Sequence, residues 1–200
     1  MTTNQFPSLL ISYVAIATGI IGTLALIFIG LMFSIGAPFG TLNDIFNGLL
    51  AIMSSVLAWM LYSYFQKLAV PVSPVLLILA LIGTLLAIVG SVLVIFGFTG
   101  WFLAGLYTTA GFALIGVWLL VMSSGAWRSN SLPHSLIIFG IISGVIMAIG
   151  FTAIPGMIRG IDTQEYFPFT INSLWQLAFL GIYILYPIWC IWLGRILSLK

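Results

Sequence analysis

The chain has 200 residues, of which 62% are hydrophobic and only 4% are charged. A water-soluble domain carries about 25% charged residues because its surface must be hydrated, so the eight charged side chains of this sequence (five Lys or Arg, three Asp or Glu) exclude a soluble globular protein. Continuous apolar stretches have the length of roughly 20 residues that an α-helix needs to cross a bilayer core. We therefore predict an all-α, polytopic integral membrane bundle.

Six transmembrane helices, forming one transmembrane domain over residues 1–200, account for all the apolar stretches. The spans are numbered 1 to 6 in chain order and cover about residues 9–34, 44–65, 75–97, 102–125, 135–157 and 171–194. No Lys or Arg precedes span 1, and span 1 is too long for the apolar core of a signal peptide. We therefore expect it to be retained as a helix of the bundle.

The few charged residues predict the orientation of the bundle. With six spans, both termini lie on one side of the membrane, and that side collects Lys67, Arg128, His134, Arg195 and Lys200. The other side has one cation and all three acids: Arg159, Asp44, Asp162 and Glu165. Because short cytoplasmic loops carry the excess of Lys and Arg, both termini are predicted to be cytoplasmic.

Tryptophan is enriched at membrane–water boundaries, and its positions agree with this orientation. Two tryptophans, Trp101 and Trp175, lie near the predicted outer boundary. The others fall towards the predicted cytoplasmic boundary: Trp59, Trp118, Trp127, Trp189 and Trp192.

Small residues recur at helical spacing in several spans, as is typical of helices that pack closely in lipid. Span 5 has Gly140, Gly144 and Ala148, while spans 1 and 3 contribute Gly19 and Gly83. These faces predict either contacts between helices of one chain or the interface of a homo-oligomer. In span 6, a proline at position 187 removes one backbone hydrogen bond and predicts a bend.

The segment PFGTLNDIFN, residues 38–47, brings polar side chains to the start of span 2. On a helix that begins near Asn43, this residue, Asn47 and Ser54 share one face, which we expect to point into the bundle. Asp44 lies beside that face, in the first turn, where free backbone N–H groups favour a carboxylate. One interpretation is therefore that Asn43 or Asp44 caps span 2.

A second interpretation comes from an internal similarity. The stretch PFTINSLWQLAF, residues 168–179, matches residues 38–49 once Gly40 is skipped, and both stretches enter the membrane from the same side. The match pairs Asn172 with Asn43, Ser173 with Asp44 and Gln176 with Asn47. Six polar side chains at one depth would form a pocket or a hydrogen-bonded clasp: Asn43, Asp44, Asn47, Asn172, Ser173 and Gln176.

Reactive side chains are scarce. The sequence has one histidine, His134, and one cysteine, Cys190, so we predict no catalytic residues, no metal site and no cofactor. Between spans 5 and 6, Arg159 and Asp162 are spaced to form an ion pair in a solvated loop. We expect this loop to cover the outer end of the bundle.

These observations favour a non-enzymatic membrane protein, an accessory or assembly-type subunit that packs against partners. The alternative is a small transporter, or a protein that binds lipid or a neutral solute, with its polar site at the outer ends of spans 2 and 6. The expected partners are the lipid bilayer and either another membrane protein or further copies of the chain, and four scattered cations on one side exclude nucleic acid.

Two segments, GAPFGTLNDIFNGL at 36–49 and YPIWCIWLGRIL at 186–197, resemble small bacterial membrane proteins. The resemblance implies a bacterial inner (plasma) membrane and carries no activity with it.

Overall fold

A computed structural model describes residues 5–67, 72–166 and 169–199, and every regular element in these ranges is helical. The α-helices are α1 (Gln5–Ile35), α2 (Phe39–Lys67), α3 (Pro74–Ile95), α4 (Trp101–Ser129), α5 (His134–Ala148), α6 (Ile154–Ile158), α7 (Phe169–Leu180) and α8 (Tyr186–Ser198). A 3₁₀ segment, Ile149–Ala153, joins α5 to α6, and another, Gln164–Tyr166, precedes α7. A π-helical turn, Gly181–Leu185, joins α7 to α8.

The prediction of an all-α protein with six spanning helices is confirmed. Six helical stretches are long and apolar enough to cross a membrane, and they are Ser8–Ile35, Phe39–Lys67, Pro74–Ile95, Trp101–Ser129, His134–Ile158 and Ile171–Ser198. Span 5 is composite because it contains α5, the 3₁₀ segment and α6. Span 6 consists of α7, the π-helical turn and α8. Spans 2 and 4 are longer than their apolar cores predict, because the helix continues through the polar residues at their ends.

The spans pack in chain order as a closed ring. Each span contacts the one before it and the one after it, and α8 of span 6 closes the ring against α1. Neighbouring spans are antiparallel, so the charged residues separate to two ends. The acidic end contains Asp44, Asp162 and Glu165, and the basic end contains Lys67, Arg128 and Arg195. Lys200 lies outside the described residues.

The interior of the ring is filled by large side chains. The largest fully buried ones include Trp118, Trp189, Tyr186, Phe65 and Phe112. The Trp189 ring stacks on that of Tyr186, with ring centroids 6.3 Å apart. Trp118 and Trp189 therefore pack the core, whereas their positions in the sequence indicate a membrane boundary. Trp59, with 61% of its surface exposed, remains on the lipid-facing side.

Glycines lie where spans approach each other most closely. Around α4, Gly111 faces Gly83 of α3, and Gly116 faces Gly144 of α5. A Cβ added at Gly144 would lie 2.6 Å from the carbonyl oxygen of Gly116. On either side of α4, backbone therefore meets backbone, which increases the van der Waals contact that holds helices together in lipid.

The other predicted packing positions also lie at contacts within the chain. A Cβ added at Gly19 would lie 2.7 Å from the carbonyl oxygen of Pro187, and one added at Gly140 would lie 2.7 Å from the indole nitrogen of Trp189. The backbone nitrogen of Ala148 lies 3.1 Å from the position of a Cβ at Gly116. Of the two interpretations of these faces, the geometry favours packing between helices of one chain.

Hydrogen bonds from buried side chains join adjacent spans. The Ser12 hydroxyl donates to the carbonyl of Gly194 at 2.7 Å, which ties span 1 to span 6. In the same way, the Thr84 hydroxyl of span 3 donates to the carbonyl of Ala51 in span 2 at 3.1 Å. Such bonds stabilise helix pairs in lipid by about 0.6 kcal/mol on average.

The segment between spans 5 and 6 caps the start of span 4. Asp162 accepts backbone N–H bonds from Gly100 at 2.6 Å and from Leu103 at 3.0 Å. This corrects the expectation that Asp162 pairs with Arg159, which is exposed. The start of α4 offers the carboxylate two free N–H groups and the positive end of the helix dipole, whereas an exposed ion pair contributes little.

Candidate functional site

Helix α2 brings three polar side chains into the bundle at the acidic end. Asn43, Asp44 and Asn47 have only 1%, 8% and 4% of their surface exposed. The helix begins at Phe39, whose N–H bonds to the carbonyl of Gly36. Asn43 and Asp44 therefore lie in the second turn, and the interpretation that one of them caps span 2 does not hold.

A chain of hydrogen bonds fixes the orientation of the two amides. The Asn43 Nδ2 atom donates to the carbonyl of Ala25 in α1 at 2.8 Å. The Asn43 Oδ1 atom accepts a hydrogen bond from Asn47 Nδ2 at 3.1 Å. If either side-chain amide were rotated by 180°, two oxygens or two N–H groups would face each other. The Ala25 carbonyl therefore fixes the orientation of both amides.

The fixed orientation of the Asn47 amide has a consequence for its side-chain carbonyl oxygen. This atom, Oδ1, is buried and has no hydrogen-bond partner among the described residues. A buried polar atom without a partner costs about 1–3 kcal/mol, so such an atom calls for an explanation.

Asn47 and Asp44 both line a small cavity of about 10 Å³. This volume holds about one water-sized particle. The lining comes from three spans and comprises Asn43, Asp44, Asn47, Trp101, Gly105, Thr108, Thr109, Phe179, Ile182 and Tyr183. None of these residues is basic, so the carboxyl group of Asp44 has no cationic neighbour in the cavity wall.

The π-helical turn of span 6 supplies one wall of the cavity. The N–H of Tyr186 bonds to the carbonyl of Gly181, five residues earlier. Pro187 has no N–H to offer to the carbonyl of Tyr183, so α-helical bonding is interrupted at this level. Single π-helical turns are frequent at functional sites. Here the turn carries Tyr183, whose hydroxyl faces the amides of Asn43 and Asn47.

The structure divides the six predicted polar residues into two groups. Asn43, Asp44 and Asn47 come together, whereas Ser173 and Gln176 are exposed on the outside of α7 and Asn172 is half-buried. The internal similarity pairs Gln176 with Asn47, but the buried residue at this level of α7 is Trp175. Helix α7 is therefore turned by about one residue, or roughly 100°, relative to α2.

The polar partners that the sequence did not indicate come from α4. Thr109 donates to the carbonyl of Gly105 at 2.7 Å and accepts a bond from the indole N–H of Trp175 at 2.8 Å. Thr108 lies beside it in the cavity wall. In the sequence, the two consecutive threonines within the apolar run of span 4 could have indicated these residues.

A larger concavity than the polar cavity lies on the outer surface of the bundle. An apolar groove of about 480 Å³ between α1 and α2 extends to Lys67 at the basic end and includes Leu10, Val14 and Trp59. Its polar lining residues, Ser63, Tyr64 and Lys67, all lie towards the basic end of α2.

The fold and the buried polar cavity define an integral, multi-pass α-helical membrane protein. No protein-family model matches the chain, and its comparison with curated proteins and with solved structures finds no match either.

Proposed function

We propose that the protein is a non-enzymatic accessory or assembly-type subunit of a membrane complex. The observation that carries this proposal is the position of Gln176. Its side chain is exposed on the outward face of α7, beside Leu177 and Leu180, which are each 39% exposed. It lies roughly 8 Å along the helix from Ile171, where span 6 begins.

An amide on a lipid-facing surface favours contact with another helix. Polar side chains such as Gln hydrogen-bond across helix interfaces in membranes, because lipid offers them no partner. The interior of the ring supports the same proposal. Ser12, Asn43 and Thr84 bond to neighbouring spans, and the cavity at Asp44 is too small for an organic solute.

Photo-crosslinking tests the proposed partner surface. A photoreactive amino acid at position 176 is expected to give one protein adduct of defined mass in native membranes. The matched control is position 188 in the same span, where Ile188 is 47% exposed and apolar. There we expect lipid adducts alone. An adduct of twice the mass of the chain would identify the partner as a second copy.

The variant Gln176→Leu provides a second measurement. It is expected to reduce recovery of the crosslinked partner in mild detergent while the yield of the chain itself stays unchanged. Lipid adducts alone at position 176, together with purification as a monomer, would contradict the proposal.

We further propose that the membrane is the bacterial inner (plasma) membrane and that both termini face the cytoplasm. The charge distribution supports the orientation, with Lys67, Arg128 and Arg195 at the end where α1 begins and α8 ends. Cytoplasmic loops carry this positive excess. The resemblance to small bacterial membrane proteins supports the bacterial inner membrane.

The second candidate function is a small transporter or a protein that binds lipid or a neutral solute. The polar lining of the cavity at Asn43, Asp44 and Asn47 supports it only for an occupant of the size of water or a small ion, because the volume is about 10 Å³. Loss of uptake in Asp44→Asn at unchanged abundance would support this function. Reduced folded yield alone would support a structural role.

A further inference from the structure

The cavity at the acidic end has an excess of hydrogen-bond acceptors. The amides of Asn43 and Asn47 already donate to Ala25 and to each other. The Thr109 hydroxyl donates to Gly105, and the indole N–H of Trp175 donates to Thr109. The donors left in the wall are the hydroxyls of Tyr183 and Thr108, and they face three acceptors, the two carboxylate oxygens of Asp44 and Asn47 Oδ1.

The charge of Asp44 favours a cation over water as the occupant of the cavity. A water molecule can donate to both residues, but it leaves the negative charge of Asp44, which has only 8% of its surface exposed, without compensation. This charge is costly to bury in a membrane protein unless it is paired. A cation satisfies the orphaned amide oxygen and neutralises the charge at the same time.

We propose that this cavity is a binding site for one monovalent cation of the size of Na⁺. The ligands are the Asp44 carboxylate, Asn47 Oδ1 and the Thr108 hydroxyl oxygen. Carboxylate, amide carbonyl and hydroxyl oxygens are the ligands of hard cations. One carboxylate balances a single positive charge, and the volume of about 10 Å³ admits one ion without a hydration shell.

The position of Asn47 is fixed by the surrounding structure. The Ala25 carbonyl orients Asn43, which orients Asn47 and directs Oδ1 into the cavity. Thr108 also lines the cavity, and its Oγ1 lies against Gly90 of α3, where an added Cβ would be 2.7 Å away. Such preorganisation lowers the cost of binding, because the side chains are already ordered. The site does not include Gln176, so it and the proposed partner surface can be tested separately.

Thermal unfolding of the purified full chain in detergent tests the site. Titration with NaCl, with choline chloride keeping the ionic strength constant, is expected to raise the Tm to a plateau. At ten times the dissociation constant the rise should be about 3–6 °C. Equilibrium binding of radioactive Na⁺ should give one ion per chain.

Two variants and one control assign the effect to the cavity. Asp44→Asn keeps the side-chain volume and is expected to abolish the Na⁺ response. Thr108→Val removes one oxygen and should weaken binding roughly tenfold, the equivalent of one lost contact. Glu165→Gln removes an exposed acid outside the cavity and should respond as the wild type does.

Two outcomes would overturn the proposal. The first is an equal Na⁺ response in the wild type and in Asp44→Asn. The second is a Tm that is insensitive to Na⁺ but rises on acidification in the wild type alone, since this would make Asp44 a neutral carboxylic acid beside water.

Discussion

Asp162 and Gly100 form a helix cap between residues that are 62 positions apart in the sequence. The carboxylate accepts the N–H groups of Gly100 and Leu103, so the loop before span 6 binds the first turn of span 4. Gly100 permits this approach, because a Cβ there would lie 2.6 Å from Asp162 Oδ1.

Removal of this cap should destabilise the bundle. We expect Asp162→Ala to lower the free energy of unfolding by about 1 kcal/mol, the usual contribution of an N-cap side chain. Asp162→Asn should lose less, since an amide oxygen still accepts one of the two bonds. Unfolding in mixed micelles, followed by far-UV circular dichroism, measures both variants. Glu165→Gln is the control, and a loss of equal size in that variant would show that charge rather than capping matters.

The close contact between span 4 and span 5 should tolerate no added methyl group. We expect Gly116→Ala to lower the free energy of unfolding by about 1–3 kcal/mol, because the new Cβ would lie 2.5 Å from Met147 Cβ and 2.9 Å from the Gly144 carbonyl oxygen.

Gly125 is the matched control in the same helix, because a Cβ there meets no atom within 4 Å. Gly125→Ala should leave stability unchanged or raise it by up to about 1 kcal/mol through helix propensity. Equal losses at positions 116 and 125, measured in the same micelles, would contradict close packing as the cause.

The amide of Asn43 should contribute to stability through two bonds at once. In Asn43→Leu the Ala25 carbonyl loses its donor and Asn47 Nδ2 loses its acceptor. We expect a loss of about 1–2 kcal/mol, measured by the midpoint of unfolding.

Ser63→Ala supplies the comparison for Asn43. The Ser63 hydroxyl donates within its own helix, to the carbonyl of Trp59 at 3.0 Å. This exposed substitution should change stability by less than about 0.5 kcal/mol. If the two variants are indistinguishable, the bond between α1 and α2 is not stabilising.

The proposed orientation can be measured with a single introduced thiol. The native Cys190 is fully buried and should give no background. We expect Thr163→Cys, at the acidic end, to react with a membrane-impermeant maleimide in intact cells. Ser129→Cys, at the basic end, should react only after the membrane is permeabilised. The reverse labelling pattern would place both termini outside the cytoplasm.

Hydropathy predicts the six spans because the length of an apolar run is a local property that the bilayer thickness acts on directly. Hydropathy does not predict the rotation of each helix about its own axis. Span 6 is apolar on nearly every face, so nothing in its periodicity distinguishes Trp175, which is buried, from Gln176, which is exposed. The internal similarity to span 2 therefore suggested a face that the structure turns outward.

Of the candidate site, only the residues of α2 could be predicted from the sequence. There, Asn43 and Asn47 are four residues apart, and helical geometry places them together. The contribution of Tyr183 depends on a π-helical turn, and that of Thr108 depends on which face of span 4 meets span 2. Both are set by packing between spans that lie far apart in the sequence, as is the cap that Asp162 forms.

The order of the spans around the ring has a consequence for biosynthesis. Because neighbours in the ring are neighbours in the chain, each new helix that enters the membrane finds its first contact already there. Only the seam between α1 and α8 must wait until span 6 has entered the membrane. Until then Ser12 and Gly19 lack the contacts with α8 that cover them in the complete ring.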